Sequence, residues 1–142
     1  MDDLKTAQPA LYDRGSGGDT LDLLFLECGV CSSLTFPSNA YGCHMCGAPG
    51  EEGKTVRRPG VCTLHNVLTV HQNLETTLKA PYVVGEIELA QGIVEEGVLA
   101  VEDESAVAPG MTVHAVAAPH PMDGSLFVCR FAPLKTTKET MS

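Results

Sequence analysis

The sequence predicts a mainly β protein, in which a small cysteine-rich ribbon precedes a five-stranded barrel. Two observations support this fold class. Two Cys-x2-Cys pairs lie near the N-terminus among glycines and prolines, a segment too poor in large apolar residues to form its own core. After residue 53 the chain changes to short apolar runs separated by turn signals, and no stretch there keeps a long helical period.

Composition limits the classes of function. Of the 142 residues, 44% are hydrophobic and 19% are charged, which is typical of a folded domain. The 9 Lys and Arg against 18 Asp and Glu give a net charge of −9, which argues against a duplex-binding face. The sequence contains no apolar run of about 18 residues, so we expect no membrane span. The first residues are acidic and lack an apolar signal core, so we expect a cytoplasmic protein with reduced thiols.

The order of segments predicts four parts. Residues 1–20 are polar and glycine-rich, which predicts a flexible N-terminal arm. Within this arm, the apolar quartet 9–12 is either an anchor or an accident of sequence. We predict the zinc ribbon over 21–52, an OB-fold domain over 53–134 and a disordered tail over 135–142.

Strands are predicted wherever apolar residues run or alternate between turn formers. Leu21–Glu27 leads directly into the first cysteine pair. In the barrel, Val83, Gly85, Ile87 and Leu89 share one face of a strand, and Gln91-Gly92 is a turn that predicts a hairpin. The five barrel strands are therefore placed at 61–70, 81–89, 93–101, 111–117 and 126–131. Between them, Glu102–Ser105 is interpreted as a solvated charge run.

The four cysteines Cys28, Cys31, Cys43 and Cys46 predict a metal site. Two residues between thiols let a tight turn direct both sulfurs to one point, and two such turns complete a tetrahedron around zinc. Four thiolates leave no open coordination position, so the zinc is expected to be structural. Iron in a rubredoxin-like site has the same ligands and stays an alternative. A redox dithiol is less well supported, because one pair would suffice for that chemistry.

The other candidate groups lack a clear chemical partner. Cys62 and Cys129 are interpreted as buried core thiols. Cys62 and His65 are three apart, which places them on opposite faces of a strand and argues against a catalytic dyad. The sequence contains neither a phosphate-binding loop nor a nucleophile elbow.

A basic cluster lies where the predicted ribbon meets the predicted barrel. Lys54, Arg57 and Arg58 form this cluster. They are either part of a solvated turn or contacts for the phosphates of a ligand such as coenzyme A. Four glutamates of the hairpin are interpreted as a solvent-facing surface, namely Glu86, Glu88, Glu95 and Glu96.

Several short motifs, taken in order, resemble those of a known family. They are Leu24–Cys28, Cys31 with Phe36-Pro37, Cys43–Gly47, Pro81–Leu89, Pro109–Val113 and Phe131–Pro133. The sequence resembles the rubredoxin-like zinc ribbon plus OB-fold proteins of acyl-CoA metabolism, which often act as small partner subunits of thiolases. It departs from them in a longer inner cysteine spacing, in Ser38-Asn39 after the aromatic-proline step, and in a short, glycine-broken arm.

The resemblance implies a non-catalytic subunit that binds a thiolase-fold enzyme and helps to form or cover its acyl-CoA site. The partner would catalyse thiolytic cleavage or Claisen condensation, for example in aromatic or steroid degradation. Two other functions stay open. One is a single-stranded nucleic-acid-binding module, since zinc ribbons and OB-folds both bind single strands. The other is a stand-alone acyl-CoA-binding protein without an enzyme partner.

Overall fold

A computed structural model describes residues 5–15, 20–71, 81–120 and 123–134. Contacts divide the chain into two units, residues 1–60 with 117–129, and residues 61–116 with 130–142. The described ranges contain two short 3-10 helices, η1 (Gly50–Glu52) and η2 (Glu104–Ala106). The strands are β1 (Lys5–Thr6), β2 (Tyr12–Arg14), β3 (Leu21–Glu27), β4 (Leu34–Thr35), β5 (Lys54–Pro59), β6 (Val61–Val70), β7 (Tyr82–Ala90), β8 (Ile93–Leu99), β9 (Thr112–Pro119) and β10 (Leu126–Pro133). No helix within these ranges has the length and apolarity needed to cross a membrane.

Strand β3 organises the first unit, because five of its seven residues are apolar and buried. β5 pairs with it antiparallel from one end to the other, while β2 and β4 pair with its N-terminal and C-terminal halves. Phe25, at the centre of β3, is fully buried and packs edge-on against Phe36 with ring centroids 5.4 Å apart. The peptide bond between Phe36 and Pro37 is cis. The strand that leads into the first cysteine pair is therefore fixed on both edges.

The N-terminal residues that the structure describes contribute two short strands, β1 and β2, to this unit. β1 pairs parallel with β10, with Thr6 opposite Phe127. Tyr12 is 4% exposed, and its ring centroid lies 5.9 Å from that of Phe127. The Arg14 guanidinium carbon lies over the same Phe127 ring, 4.8 Å from its centroid. Of the apolar quartet 9–12, Tyr12 is thus packed into this unit, whereas Pro9 is exposed.

Five strands close the barrel in the order β6, β7, β8, β10, β9 and back to β6. Neighbours β6, β7 and β8 are antiparallel, as are β6 and β9, whereas β10 runs parallel to β8, with Phe131 opposite Leu99. This is the five-stranded Greek-key closure of an OB-fold. The predicted fold class, a mainly β chain with a cysteine ribbon before a five-stranded barrel, is confirmed.

The predicted inner face of the hairpin strand is present, since Val83, Gly85, Ile87 and Leu89 are all buried. On the opposite face Glu86 is exposed, whereas Val84 is buried. Gly92 has a φ of 81°, a value that favours glycine, at the turn between β7 and β8. Gly97 is a second position in the barrel that requires glycine. A Cβ there would lie 2.8 Å from two ring atoms of Phe131.

One segment differs from its prediction: the basic segment Lys54–Pro59 forms strand β5 and not a turn, and it belongs to the first unit. The charge run Glu102–Ser105 is exposed, as interpreted from the sequence. It includes the start of η2, where the Asp103 side chain accepts a hydrogen bond from the backbone N–H of Ser105 at 2.8 Å. The domain limits 21–52 and 53–134 stay a prediction, because strand pairing does not test whether either part folds alone. The predicted tail, 135–142, lies outside the described residues.

Candidate metal centre

The four predicted ligands converge on one point. The Sγ atoms of Cys28, Cys31, Cys43 and Cys46 all lie within 4.8 Å of one another. The distance between Sγ atoms is 3.5 Å for Cys28 and Cys46 and also for Cys31 and Cys43. Each of these contacts joins one pair to the other, so residues separated by at least 12 positions form a single cluster.

Each pair sits on a tight turn that its own backbone stabilises. In the first turn, the N–H groups of Val30 and Cys31 point at Cys28 Sγ, at 3.3 and 3.4 Å. In the second turn, the N–H groups of Met45 and Cys46 point at Cys43 Sγ, at 3.4 and 3.5 Å. Amide dipoles directed at a sulfur favour its thiolate form, which is the form that binds metal.

The residue after each pair adopts a left-handed conformation that closes the turn. This residue is Gly47 in the second turn, with a φ of 78°, a value that favours glycine. In the first turn it is Ser32, with a φ of 67°. The N–H of Ser32 donates to the Cys28 carbonyl at 3.1 Å, and that of Gly47 donates to the Cys43 carbonyl at 2.9 Å. The two turns are therefore built alike although their sequences differ.

The sulfur geometry fits a tetrahedral metal ion. Four thiolates at a Zn–S distance of about 2.3 Å are separated from one another by about 3.8 Å. The measured 3.5 Å contacts and the 4.8 Å upper limit bracket this value. Cys28 and Cys43 are buried and Cys31 and Cys46 are exposed, so the site lies at the surface with one sulfur of each turn facing inward. A metal ion held by all four sulfurs would have no open position for a substrate.

The thiols differ in acidity. The backbone N–H groups of Cys46 and Met45 lower the pKa of Cys43 to about 6, and the N–H of Cys31 is the main cause of a lowered pKa at Cys28. For Cys46, a backbone hydrogen bond that lowers the pKa is outweighed by hydrogen bonds with Cys28 and Cys31, which raise it to about 12. Cys43 is therefore mainly a thiolate at neutral pH before metal binds, and metal binding must displace the proton of Cys46.

A buried threonine links the second turn to the sheet. Thr35, in β4, is 8% exposed, and its Oγ1 accepts a hydrogen bond from the N–H of His44 at 3.1 Å. β4 in turn pairs with the C-terminal half of β3. The position of Thr35 gives no sequence signal of this role, because nine residues separate it from the group that it binds. His44 itself is exposed.

Two of the three residues of the basic cluster form ion pairs with acidic residues of the same unit. Arg57 lies 3.0 Å from Asp22 through Nε, and its Nη2 donates to the Arg14 carbonyl at 2.7 Å. Lys54 Nζ lies 3.3 Å from Glu27. Arg58 donates to the carbonyl of Arg57 at 3.1 Å and forms no ion pair with a described residue. Because Arg57 and Arg58 are neighbours on a strand, their side chains leave opposite faces of the sheet.

The remaining cysteines lie outside the metal site. Cys62 is buried, and burial raises its pKa to about 12. His65, the nearest candidate base in sequence, is on the exposed face of β6 and contacts Glu88 at 2.9 Å. Cys129 is half-buried, and so less enclosed than predicted. The structure therefore places Cys62 and His65 on opposite faces of the strand.

Comparison with known proteins establishes the fold. No protein-family model matches the sequence, and no curated protein matches it. Among solved structures, the chain is similar to one described as "Ltp2-ChsH2(DUF35) aldolase", with a TM-score of 0.63 and 24% sequence identity. The alignment covers 78% of this chain and 84% of that chain. The shared fold thus extends over most of both chains, including much more than a cysteine motif alone.

Proposed function

We propose that this protein is a zinc-binding accessory subunit of a thiolase-type acyl-CoA enzyme complex. The observation that carries the proposal is the union, in one chain, of a four-cysteine ribbon with an OB-fold barrel. The solved structure that shares this fold is described as an aldolase named for Ltp2 and ChsH2. The motifs by which the sequence resembles thiolase partner subunits support the same function independently of the fold.

Zinc is the metal that the donor set favours. Four thiolates in a tetrahedral arrangement suit zinc or iron, and both fit the measured sulfur separations. Metal analysis of protein purified without added metal tests the choice. One equivalent of zinc per chain and no visible absorption are expected, whereas a red protein with one equivalent of iron would contradict the zinc assignment.

The chemistry of the complex belongs to the partner in this proposal. A closed tetrathiolate site activates no water or carbonyl, and Cys62 and His65 face apart on β6. The partner would therefore supply the nucleophile and base for thiolytic cleavage or Claisen condensation. This chain would order the acyl-CoA site from outside, by shape and by hydrogen bonding.

A direct contact with coenzyme A is a further part of the proposal. Lys54, Arg57 and Arg58 are all exposed and lie on one short strand. Arg58 is the member of the three that forms no ion pair with a described residue. Its guanidinium can therefore bind a phosphate without first breaking an ion pair. Substitution of Arg58 is expected to weaken binding of acyl-CoA by the complex more than substitution of Lys54.

Co-expression tests the proposed function directly. Each thiolase-fold subunit encoded in the same genome is expressed with this chain, and the purified material is examined by size-exclusion chromatography with light scattering. A stable hetero-oligomer is expected with one of them, together with a thiolysis rate that falls when this chain is omitted. If no thiolase-fold subunit binds and the pure protein instead binds single-stranded DNA in a salt-sensitive way, the proposal is wrong. Tight acyl-CoA binding by the isolated chain, again without a partner, would favour a stand-alone binding protein.

A further inference from the structure

Three apolar side chains of the ribbon are unusually exposed. Tyr41 is 101% exposed, Met45 68% and Val30 65%, the three largest values among the exposed large apolar residues of the described ranges. A single exposed apolar residue is ordinary on a protein surface, whereas a group of them marks a binding surface. All three lie between the first and the last of the four cysteines, Cys28 and Cys46.

Two of these residues occupy matching positions at the metal centre. Val30 and Met45 are the second intervening residues of their Cys-x2-Cys pairs. The backbone nitrogen of each lies within 3.4 Å of a cysteine sulfur, and those sulfurs belong to the same compact cluster. The metal site thus brings the two exposed side chains to neighbouring turns, although they are far apart in sequence.

The helix η1 connects Tyr41 to the same region. The N–H of Gly50 donates to the Tyr41 carbonyl at 2.9 Å, at the start of η1. At its other end, the Glu52 carbonyl lies against Gly29, so closely that a Cβ there would clash. Gly29 immediately precedes Val30. Two backbone contacts therefore place Tyr41 at one end of the three-residue helix η1 and the first turn at its other end.

The backbone that carries these side chains is held in place. Besides the bond from Gly50, the N–H of Cys43 donates to the Ala48 carbonyl at 2.9 Å, and Gly42 and Pro49 form an antiparallel bridge. A rigid backbone loses little conformational entropy on binding, so an aromatic ring placed on it is an efficient anchor. The fully exposed Tyr41 ring thus projects from a fixed backbone.

Charge identifies the class of partner. η1 carries Glu51 and Glu52, both exposed, and neither forms an ion pair with a described residue. Carboxylates beside an apolar surface disfavour nucleic acid and an anionic lipid surface, and they repel a second copy of the same surface. They favour a different protein whose docking site is apolar and bordered by Lys or Arg.

We infer that Val30, Tyr41 and Met45, with Glu51 and Glu52 beside them, form a docking surface for a heterologous protein that has an apolar depression with a basic border. We call this set of five residues the ribbon-tip surface. The inference rests on the proposed function, because the partner is the thiolase-type subunit, and it deepens that proposal by stating which part of this chain holds it. The metal ion then has a specific purpose, since it fixes the two turns from which Val30 and Met45 project.

The test compares substitutions in the surface with matched substitutions elsewhere. Tyr41→Ser and Met45→Gln are made in the full chain, with Val94→Thr as a control for an apolar residue that is 44% exposed on the barrel hairpin. The double variant Glu51→Lys with Glu52→Lys is paired with Glu95→Lys and Glu96→Lys, which make the same change of charge on β8. Metal content and unfolding midpoints confirm that each variant is folded.

Affinity for the thiolase-type subunit found by co-expression is then measured by titration calorimetry, and association rates by surface-based kinetics. Tyr41→Ser is expected to raise Kd at least tenfold, with Val94→Thr unchanged. The double variant at Glu51 and Glu52 is expected to lower the association rate about tenfold at low salt, and the β8 control is not.

The outcomes separate the two proposals. If the wild-type chain binds no thiolase-type subunit, the proposed function fails and the docking inference fails with it. If the wild type binds and the ribbon-tip variants bind equally well, the docking inference alone is overturned. Concentration-dependent self-association that Tyr41→Ser abolishes would also overturn it, because the occupant would then be a second copy.

Discussion

The guanidinium of Arg57 and the carboxylate of Asp22 form an ion pair, with Nε 3.0 Å from Oδ2, between strands β5 and β3. The same guanidinium donates to the Arg14 carbonyl at the end of β2. One side chain thus fastens three strands of the first unit. Asp22 is only 18% exposed, and its partly buried carboxylate needs a cation beside it.

Replacing Arg57 should therefore reduce stability where replacing Arg58 does not. Arg57→Ala removes the ion pair and the bond to Arg14, and we expect the free energy of unfolding to fall by about 1 kcal/mol. Arg58→Ala, on the opposite face of the same strand, should change it by less than about 0.5 kcal/mol. Urea unfolding of the metal-loaded protein measures both. Equal effects would show that the ion pair contributes nothing specific.

The close packing of Gly97 predicts a second stability effect. A Cβ at this position would lie 2.8 Å from two ring atoms of Phe131 and 2.9 Å from Ile87 Cδ1. Because an aromatic ring in a packed barrel has little room to move, Gly97→Ala should destabilise the protein by about 1–3 kcal/mol. Gly124→Ala is the control, since its Cβ would meet nothing within 4 Å. A loss of stability in the control as large as that of Gly97→Ala would contradict the steric explanation.

Much of this fold could be predicted from local patterns. The predicted limits of β3 and β6 match the observed strands, and the cysteine spacing alone predicted the cluster. β5 could not be found in this way, because Lys54–Pro59 is charged, lacks alternation and becomes a strand only through its hydrogen bonds to β3. For the same reason, the partner of Arg57 gave no signal, since Asp22 lies 35 residues earlier in the chain.

The pH dependence of barrel stability should include a contribution from Glu88. The backbone N–H of Gly92, and then His65, lower the pKa of this carboxyl from its ordinary value of 4.5. A lowered pKa in the folded state contributes stability that is present above 4.5 and is lost as the pH falls through the lowered value.

Glu88→Gln should therefore lower the urea midpoint at neutral pH, and its effect should shrink as the pH falls through the lowered pKa and the wild-type carboxyl becomes protonated. Glu95→Gln, on the paired strand β8, serves as the control for loss of one negative charge. A difference between wild type and Glu88→Gln that stays constant from neutral pH to acid would contradict the role of ionisation.

The buried thiol of Cys62 should resist alkylation. Its pKa is raised to about 12, so at about pH 8 its thiolate population is about a thousandfold below that of a thiol with the ordinary value. In the metal-loaded protein, we expect iodoacetamide to modify the half-buried Cys129 before Cys62 and to reach Cys62 only in urea, as peptide mapping would show. Rapid modification of Cys62 in the native protein would mean that β6 opens or that its thiol is not enclosed.

Removal of one metal ligand should unfold the ribbon while the barrel stays partly folded. Cys43→Ala leaves three thiols that cannot complete a tetrahedron, so the metal content should fall from one equivalent to none. The turns of residues 28–50 have few buried side chains besides Cys28, Thr35 and Cys43, and we expect them to unfold while the barrel is partly retained. Elemental analysis and limited proteolysis measure the two effects.

The control for that variant is Cys62→Ala, which removes a buried thiol on β6 that is not a ligand. It should keep one equivalent of metal and lose about 1 kcal/mol of stability, the usual cost of deleting one buried heavy atom. If Cys43→Ala retains a full equivalent of metal, the four-cysteine assignment is wrong. If instead the metal is lost and proteolysis cuts the barrel as readily as residues 28–50, the assignment stands, but the barrel depends on the ribbon for its own stability.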